Sequence, residues 1–185
     1  GKCMVGKLLV SASTASVLIE VVGEDASIYN NTGLRWSGVA YGIAAYDDFS
    51  AEAIAAAKNG DVITLLNNCA ENGTIVQAPG VSVVIDGNGH KITSTAGRAI
   101  NIDTTAAVTI KNLTIVGSTG CERGINIINQ AGTTNLSNVK ISGVSHYAVH
   151  VATSAGAAQV NIADSELSGY AALAVYGEGS VVAVS

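Results

Sequence analysis

The chain has 185 residues, enough for one domain, and carries 9 Lys and Arg against 14 Asp and Glu, for a net charge of −5. This sparse negative charge argues against nucleic-acid binding, which needs clustered basic residues. Apolar residues make up 48% of the chain but aromatic residues only 4%, so we expect a thin aliphatic core. No apolar run reaches the roughly 18 residues of a membrane span, and no intact signal peptide is visible.

Residues 1–49 form an N-terminal extension that does not share the pattern of the later chain. Residues 8–10 and 17–22 predict strands, and most of the aromatic residues lie here: Tyr29, Trp36, Tyr41 and Tyr46. Two interpretations stay open. We favour strands that lie on or before the following domain, because Tyr and Trp often cover the edges of a core. The alternative is an aromatic surface that stacks on sugars.

Residues 50–60 predict the one convincing helix. Ser50 suits the N-cap, Glu52 lies in the first turn, Lys58 in the last turn and Gly60 just beyond the end. Ile54 and its neighbouring alanines give the helix a small apolar face. We therefore expect a capping helix that covers the front end of the region that follows.

Residues 61–185 carry a repeat with a period of 26 residues. Three series recur at this spacing: Ile110, Leu136 and Ile162; Asn112, Asn138 and Asp164; Gly117, Gly143 and Gly169. Apolar residues alternate within each unit, which predicts short strands and leaves no room for a helix. A fixed period indicates a solenoid whose coils bury their apolar faces on one another. We predict an all-β parallel β-helix of about five coils, the last one incomplete, in which the first series forms an aliphatic ladder and the second a structural polar ladder at a bend.

A second strand recurs in each coil. The aligned segments are Arg98–Ile102, Arg123–Ile127, Tyr147–Val151 and residues 173–177, at offsets of 25, 24 and 26. If Ile100, Ile125, Val149 and Val175 are buried, their neighbours point outward in two rows. One exposed row contains Asn101, Asn126, His150 and Tyr176, and the other contains Arg98, Arg123 and Tyr147. Such side chains can bind a glycan through bidentate and stacking contacts. A solvated polar face without a ligand is the simpler interpretation.

Three segments connect the chain with a known superfamily. They are Ala-Lys-Asn-Gly-Asp at 57–61, Val-Ile-Thr-Leu-Leu at 62–66 and Val-Ile-Asp-Gly-Asn-Gly-His-Lys-Ile at 84–92. Residues 46–185 resemble the right-handed parallel β-helix, pectate-lyase-like superfamily, and these segments look particularly like β-helix domains of Gram-positive bacterial surface proteins. The resemblance implies a right-handed β-helix and a secreted or cell-surface location. It says little about function, because the superfamily includes lyases, hydrolases, adhesins and inert stalks.

The catalytic motifs of that superfamily are not found, so the question of an enzyme stays open with a preference for none. The lyase pattern Arg-x-Pro-x-x-Arg is absent, since Pro79 is the only proline and no arginine flanks it. Residues 86–90 resemble part of a polygalacturonase motif but read more simply as a turn whose glycines take positive φ. Asp103, Asp164 and Glu166 are carboxylates on different bends or coils, not a convergent pair.

Metal and cofactor sites are not predicted either. His90, His146 and His150 have no carboxylate or metal partner at a telling spacing. Cys3, Cys69 and Cys121 lack metal-ligand spacing as well. A Cys69–Cys121 disulfide and unpaired thiols both stay open, and we favour the thiols.

The end of the chain favours association with other strands. Residues 179–185 stop in the middle of a coil, so an open strand edge is expected there. Two alternatives stay open: the chain is a fragment of a longer protein, or another chain covers the edge, as in a head-to-tail contact between copies. The sequence therefore predicts a secreted or cell-surface structural or adhesive module, with end-to-end self-association as a further expectation. The alternative is a carbohydrate-binding or carbohydrate-active fragment.

Overall fold

The computed structural model describes residues 54, 57–65, 68–70, 72–128, 132–152 and 156–185, together with the backbone of four short strands nearer the N-terminus. Those strands are β1 (Ile19–Glu20), β2 (Ser27–Asn30), β3 (Gly33–Trp36) and β4 (Ile43–Tyr46). They pair antiparallel in chain order, and β4 then pairs in parallel with β5 (Asp61–Leu65). The strand predicted at residues 8–10 lies outside the described residues.

The repeat region consists entirely of short strands. After β5 these are β6 (Gly73–Ile75), β7 (Val83–Asp86), β8 (Lys91–Ser94), β9 (Arg98–Ile102), β10 (Val108–Gly117), β11 (Arg123–Ile127), β12 (Thr133–Ser142), β13 (Tyr147–Val151), β14 (Gln159–Ala163), β15 (Glu166–Leu167), β16 (Ala171–Val175) and β17 (Val181–Val184). All pairs among them are parallel.

Two sheets result from this pairing. The larger sheet has 12 strands and includes the order β5-β7-β10-β12-β14-β17, while β8 pairs with β10 and β15 with β12. The smaller sheet has 5 strands in the order β16-β13-β11-β9-β6. Each neighbour in these orders belongs to the next coil, which is the arrangement of a solenoid. The prediction of an all-β parallel β-solenoid of about five turns is confirmed.

The core is a stack of aliphatic side chains, as the repeat predicts. Ile110 lies in register with Leu136, and Leu136 with Ile162, and all three are buried. A second internal stack joins Leu113 to Val139 across the same strands. Burial of each such side chain contributes about 1.5–3 kcal/mol, so the stacked coils account for most of the apolar stabilisation.

The polar ladder marks a sharp bend in the larger sheet. Asn112, Asn138 and Asp164 have φ of 53°, 51° and 49°, which is the left-handed conformation that Asn and Asp tolerate best among non-glycine residues. This bend divides β10 and β12 into two arms that face different sides of the core. The expected bend position is confirmed.

The turn at residues 86–90 is also confirmed, with one correction. Asn88 and Gly89 have φ of 51° and 79°, but Gly87 does not have a positive φ. A Cβ at position 87 would clash with the carbonyl oxygen of Asn112 in the next coil. Gly87 is therefore required by the close approach of two coils and not by its backbone angle.

The predicted capping helix cannot be judged, because residues 50–53, 55 and 56 lie outside the described residues. Ile54 is buried in the core cluster, and its carbonyl oxygen accepts a hydrogen bond from the Gln77 side chain. Within the described part of the chain, no helix is long and apolar enough to cross a membrane.

Candidate ligand-binding face

The bend ladder, which we define as Asp86, Asn112, Asn138 and Asp164, is one of two polar rows that run across the coils. Asn138 Nδ2 donates to Asn112 Oδ1 at 3.0 Å, and Asn112 Nδ2 donates to Asp86 Oδ1 at 3.1 Å. Asn112 therefore uses its oxygen and its nitrogen on opposite neighbours. At the last step, Asp164 keeps the bend but exposes its side chain to solvent.

Asp86 is the acceptor at the start of this ladder. Partial burial by itself raises the pKa of Asp86, but the Asn88 backbone N–H, the Asn112 amide and Lys111 together lower the pKa below its usual value. Lys111 Nζ lies 3.2 Å from Asp86 Oδ2. A carboxylate held in this way is committed to the turn, which argues against a catalytic role for residues 86–90.

The inner row, which we define as Thr74, Asn101, Asn126 and His150, lies on the smaller sheet. Asn126 Nδ2 donates to Asn101 Oδ1 at 2.8 Å, and Asn101 Nδ2 donates to Thr74 Oγ1 at 3.5 Å. His150 Nδ1 lies 2.8 Å from Asn126 Oδ1. Because the Asn126 nitrogen is already a donor to Asn101, its oxygen must accept, so Nδ1 of His150 carries the proton.

His150 is kept neutral by its surroundings. Burial lowers the pKa of His150, and the positive charges of Arg123 and Arg98 lower it further. The neutral ring with a proton on Nδ1 leaves Nε2 as a hydrogen-bond acceptor. The inner row is thus a directed chain of hydrogen bonds that ends in a neutral imidazole.

The outer strip, which we define as Arg98, Arg123, Tyr147 and Tyr176, covers the inner row. Arg123 Nη1 donates to Asn126 Oδ1 at 3.2 Å, and the Tyr147 ring stacks on His150 with centroids 5.1 Å apart and planes 11° apart. The Tyr147 and Tyr176 hydroxyls are 3.2 Å apart. This hydrogen bond raises the pKa of Tyr147, so its phenol is neutral near pH 7.

All seven residues of the sequence prediction come together on this face, but their exposure differs from the expectation. Asn126 is 0% exposed and His150 7% exposed, because Arg123 and Tyr147 fold over them. The predicted exposed row is therefore wrong at these two positions. Only Tyr176 of that row is strongly exposed, at 67%.

The register of the last strand also needs correction. Tyr147 pairs with Ala171 and His150 with Ala174, so the last offset is 24 and not 26. The first two offsets are confirmed, since Arg98 pairs with Arg123 and Arg123 with Tyr147. Alanines at 171, 172 and 174 give no side-chain pattern by which sequence alone could choose the register.

Two further consequences follow from that register. Leu173, and not Val175, lies opposite the buried Val149, and Val175 is exposed. Tyr176 reaches Tyr147 from beyond the end of β16 instead of from within the row. Thr74, which terminates the inner row, was not predicted, although its position before Ile75 matches that of Asn101 before Ile102.

The other charged and nucleophilic side chains of the described residues form no second candidate site. Glu166 Oε1 lies 2.7 Å from Lys140 Nζ, and both line an open depression of about 270 Å³ beside Leu167. Cys121 is buried, which raises the pKa of its thiol, and no disulfide joins it to Cys69 in the described structure. Among the described residues, no group of three or more His, Cys, Asp or Glu is placed to hold a metal ion.

Comparison with known proteins does not assign the chain to a family, so it is classified by its fold alone. No family model matches the chain, and neither a curated protein nor a solved structure matches it significantly. The fold and the face define the chain as a parallel β-solenoid protein with a polar and aromatic strip along its smaller sheet.

Proposed function

We propose that this chain is a structural and adhesive module of a secreted or cell-surface protein, and that it adheres to glycans through the outer strip. The observation that carries the proposal is the layering of this face. The inner row satisfies its own hydrogen bonds, while the rings of Tyr147 and Tyr176 lie against His150 and the Arg98 side chain is exposed on the same sheet.

This layering suits glycan binding for a physical reason. Tyrosine rings offer apolar faces that sugars stack on, and phenol and guanidinium groups donate hydrogen bonds to hydroxyls. Because the inner row holds Arg123 and Tyr147 in place, little side-chain entropy is lost when a ligand binds. The resemblance of residues 84–92 to Gram-positive surface proteins supports the proposed location.

A polysaccharide panel tests this function. Neutral and uronic polysaccharides are immobilised, and both retention of the protein and release of new chain ends are measured. We expect retention without new chain ends, and the double variant Tyr147→Ala/Tyr176→Ala should reduce retention at least tenfold. New chain ends would instead identify a carbohydrate-active enzyme.

Tyr170→Ala is the matched control for the panel. Tyr170 is exposed, and no ring contact joins it to the outer strip in the described part of the chain. Its loss should leave retention unchanged. Retention that is absent for the wild type on every polysaccharide would remove the adhesive part of the proposal.

A second candidate function is end-to-end self-association, and the surface of the last described coil favours it. Val181 and Val184 are 62% and 69% exposed, and β17 pairs only with β14 among the described strands. An exposed apolar strand edge can pair with a strand of a second copy.

Light scattering across a concentration series tests this second candidate. We expect the mass to rise above that of the monomer, and Val181→Lys/Val184→Lys should restore the monomer. Val76→Lys is the control, because Val76 is the same residue type and is 56% exposed but lies far from β17 in the chain. A monomer at every concentration would exclude self-association.

A further inference from the structure

Arg98 and Arg123 stand directly opposite each other on neighbouring parallel strands. Neighbouring strands are about 4.8 Å apart, so the two arginine side chains leave the backbone at adjacent positions of the sheet. Like charges directly opposite in a sheet destabilise it. A pair of this kind normally has a counter-charge nearby.

The chain does not supply that counter-charge in the described structure. The ion pairs among the described residues are Lys111–Asp86, Lys140–Glu166 and His146–Glu122, and none involves an arginine. Glu122 precedes Arg123 in sequence, yet its carboxylate is directed to His146 at 3.8 Å. This is notable in a chain with a net charge of −5.

Arg123 also has an unused donor. Its Nη1 donates to Asn126, but its Nε is buried and has no hydrogen-bond partner among the described residues. A buried donor without a partner destabilises the fold. The Arg123 guanidinium lies over the Tyr147 ring at 6.0 Å from its centroid, and its charge lowers the pKa of the nearby His150 ring. Neither of these two groups carries a negative charge near pH 7.

We propose that Arg98 and Arg123 form an anion subsite that binds a carboxylate of an acidic saccharide, whose ring then lies against Tyr147 and Tyr176. This rests on the proposed glycan adhesion and specifies the ligand class. A guanidinium binds a carboxylate through two parallel hydrogen bonds, and the bound anion also relieves the repulsion between the two arginines. A nucleic acid fits poorly, because two arginines on an acidic protein cannot neutralise a dense phosphate backbone.

Polygalacturonate and its fully methyl-esterified form are the probes, since they share a sugar backbone and differ in charge. We expect the wild type to bind the acid form about tenfold more tightly than the ester, with a difference that shrinks as salt rises. R98Q/R123Q should bind the acid form only as well as the ester. Lys140→Gln removes an exposed cation on the other sheet and should change neither affinity.

A second measurement separates the subsite from glycan adhesion and checks folding. Thermal unfolding is followed with sodium galacturonate or with galactose in sodium chloride of equal ionic strength. Galacturonate should raise the Tm of the wild type and not that of R98Q/R123Q. R98Q alone keeps the Arg123–Asn126 hydrogen bond, so without ligand it should melt like the wild type, and galacturonate should raise its Tm less than that of the wild type.

The outcomes distinguish the two proposals. Detectable wild-type binding that is equal for acid and ester overturns the anion subsite and leaves glycan adhesion standing. Stabilisation by galacturonate without retention on any polysaccharide leaves the subsite standing and overturns adhesion. If neither the polymer nor the monosaccharide acid is preferred, the subsite is wrong.

Discussion

The bend ladder and the inner row are both built from hydrogen-bonded side-chain amides, but the two rows have different structural roles. Both are rows of stacked amides, with donor–acceptor distances of 3.1 and 3.0 Å in the bend ladder and 2.8 Å between Asn126 and Asn101 in the inner row. The bend ladder has left-handed backbone at Asn112 and Asn138, whereas Asn126 lies within an ordinary strand. In the first row the residue type serves the backbone, and in the second it serves side-chain burial beneath the outer strip.

The largest effect is expected when the inner row is broken at its centre. Asn126→Ala removes the partner of Asn101, Arg123 and His150 at a position that is fully buried. Each buried polar group that is left without a partner destabilises the protein by about 1–3 kcal/mol. We therefore expect the free energy of unfolding, measured by urea titration, to fall by about 3 kcal/mol or more. Asn161→Ala removes one exposed side-chain hydrogen bond to Asn135, outside both rows, and should lower the free energy of unfolding by under about 1 kcal/mol. Equal losses would show that burial does not decide the size of the effect.

Glycine substitution separates backbone from side-chain roles. Asn112→Ala should lower the free energy of unfolding by about 2 kcal/mol, since Ala is strained at positive φ and the side-chain hydrogen bonds of Asn112 are lost. Asn112→Gly should recover about 1 kcal/mol of this, because glycine adopts that conformation freely. Asn126→Gly should recover nothing relative to Asn126→Ala. Recovery at both positions, or at neither, would contradict the comparison.

The pH dependence of stability should differ between the rows. The pKa of His150 is lowered from 6.5 in the folded protein, so the unfolded chain takes up a proton first. Stability should be full above about pH 6.5 and should fall as pH drops below it. Asp86, whose pKa is lowered from 3.8, should add a second loss only below about pH 3.8.

Urea midpoints between pH 7.5 and 5.5 measure the first of these losses. His150→Gln keeps a donor for Asn126 without titrating, so the decline should disappear in this variant while the loss below pH 3.8 remains. An unchanged decline between pH 7.5 and 5.5 would assign it to another group.

The smallest effects are expected from the lysines on the larger sheet. Lys140→Gln breaks an exposed ion pair and should change the free energy of unfolding by less than about 0.5 kcal/mol. Lys111→Gln should have a larger effect, about 1 kcal/mol, because its partner Asp86 is partly buried and anchors the bend ladder. Urea titration of both variants at low and high salt measures the difference, and a larger loss for Lys140→Gln would be inconsistent with this anchoring role.

The accuracy of the sequence predictions follows the same division. Ile110, Leu136 and Ile162 were predictable as a buried ladder because branched aliphatic residues recur at one spacing, and Asn112 and Asn138 because few other residues tolerate their backbone angle. The sequence predicts a turn at Gly87, but only the three-dimensional structure shows its close approach to the next coil.

What the sequence determined by itself is therefore the solenoid: its period, strands and bends follow from short-range patterns of side-chain type and backbone preference. Only the tertiary structure decided which polar residues are buried. Arg123 covers Asn126 within β11 and Tyr147 covers His150 within β13, and simple alternation of side chains along a strand does not predict either contact. The register at β16 was likewise decided by stacking on β13, since a run of small residues has no preferred partner until the coils are in contact.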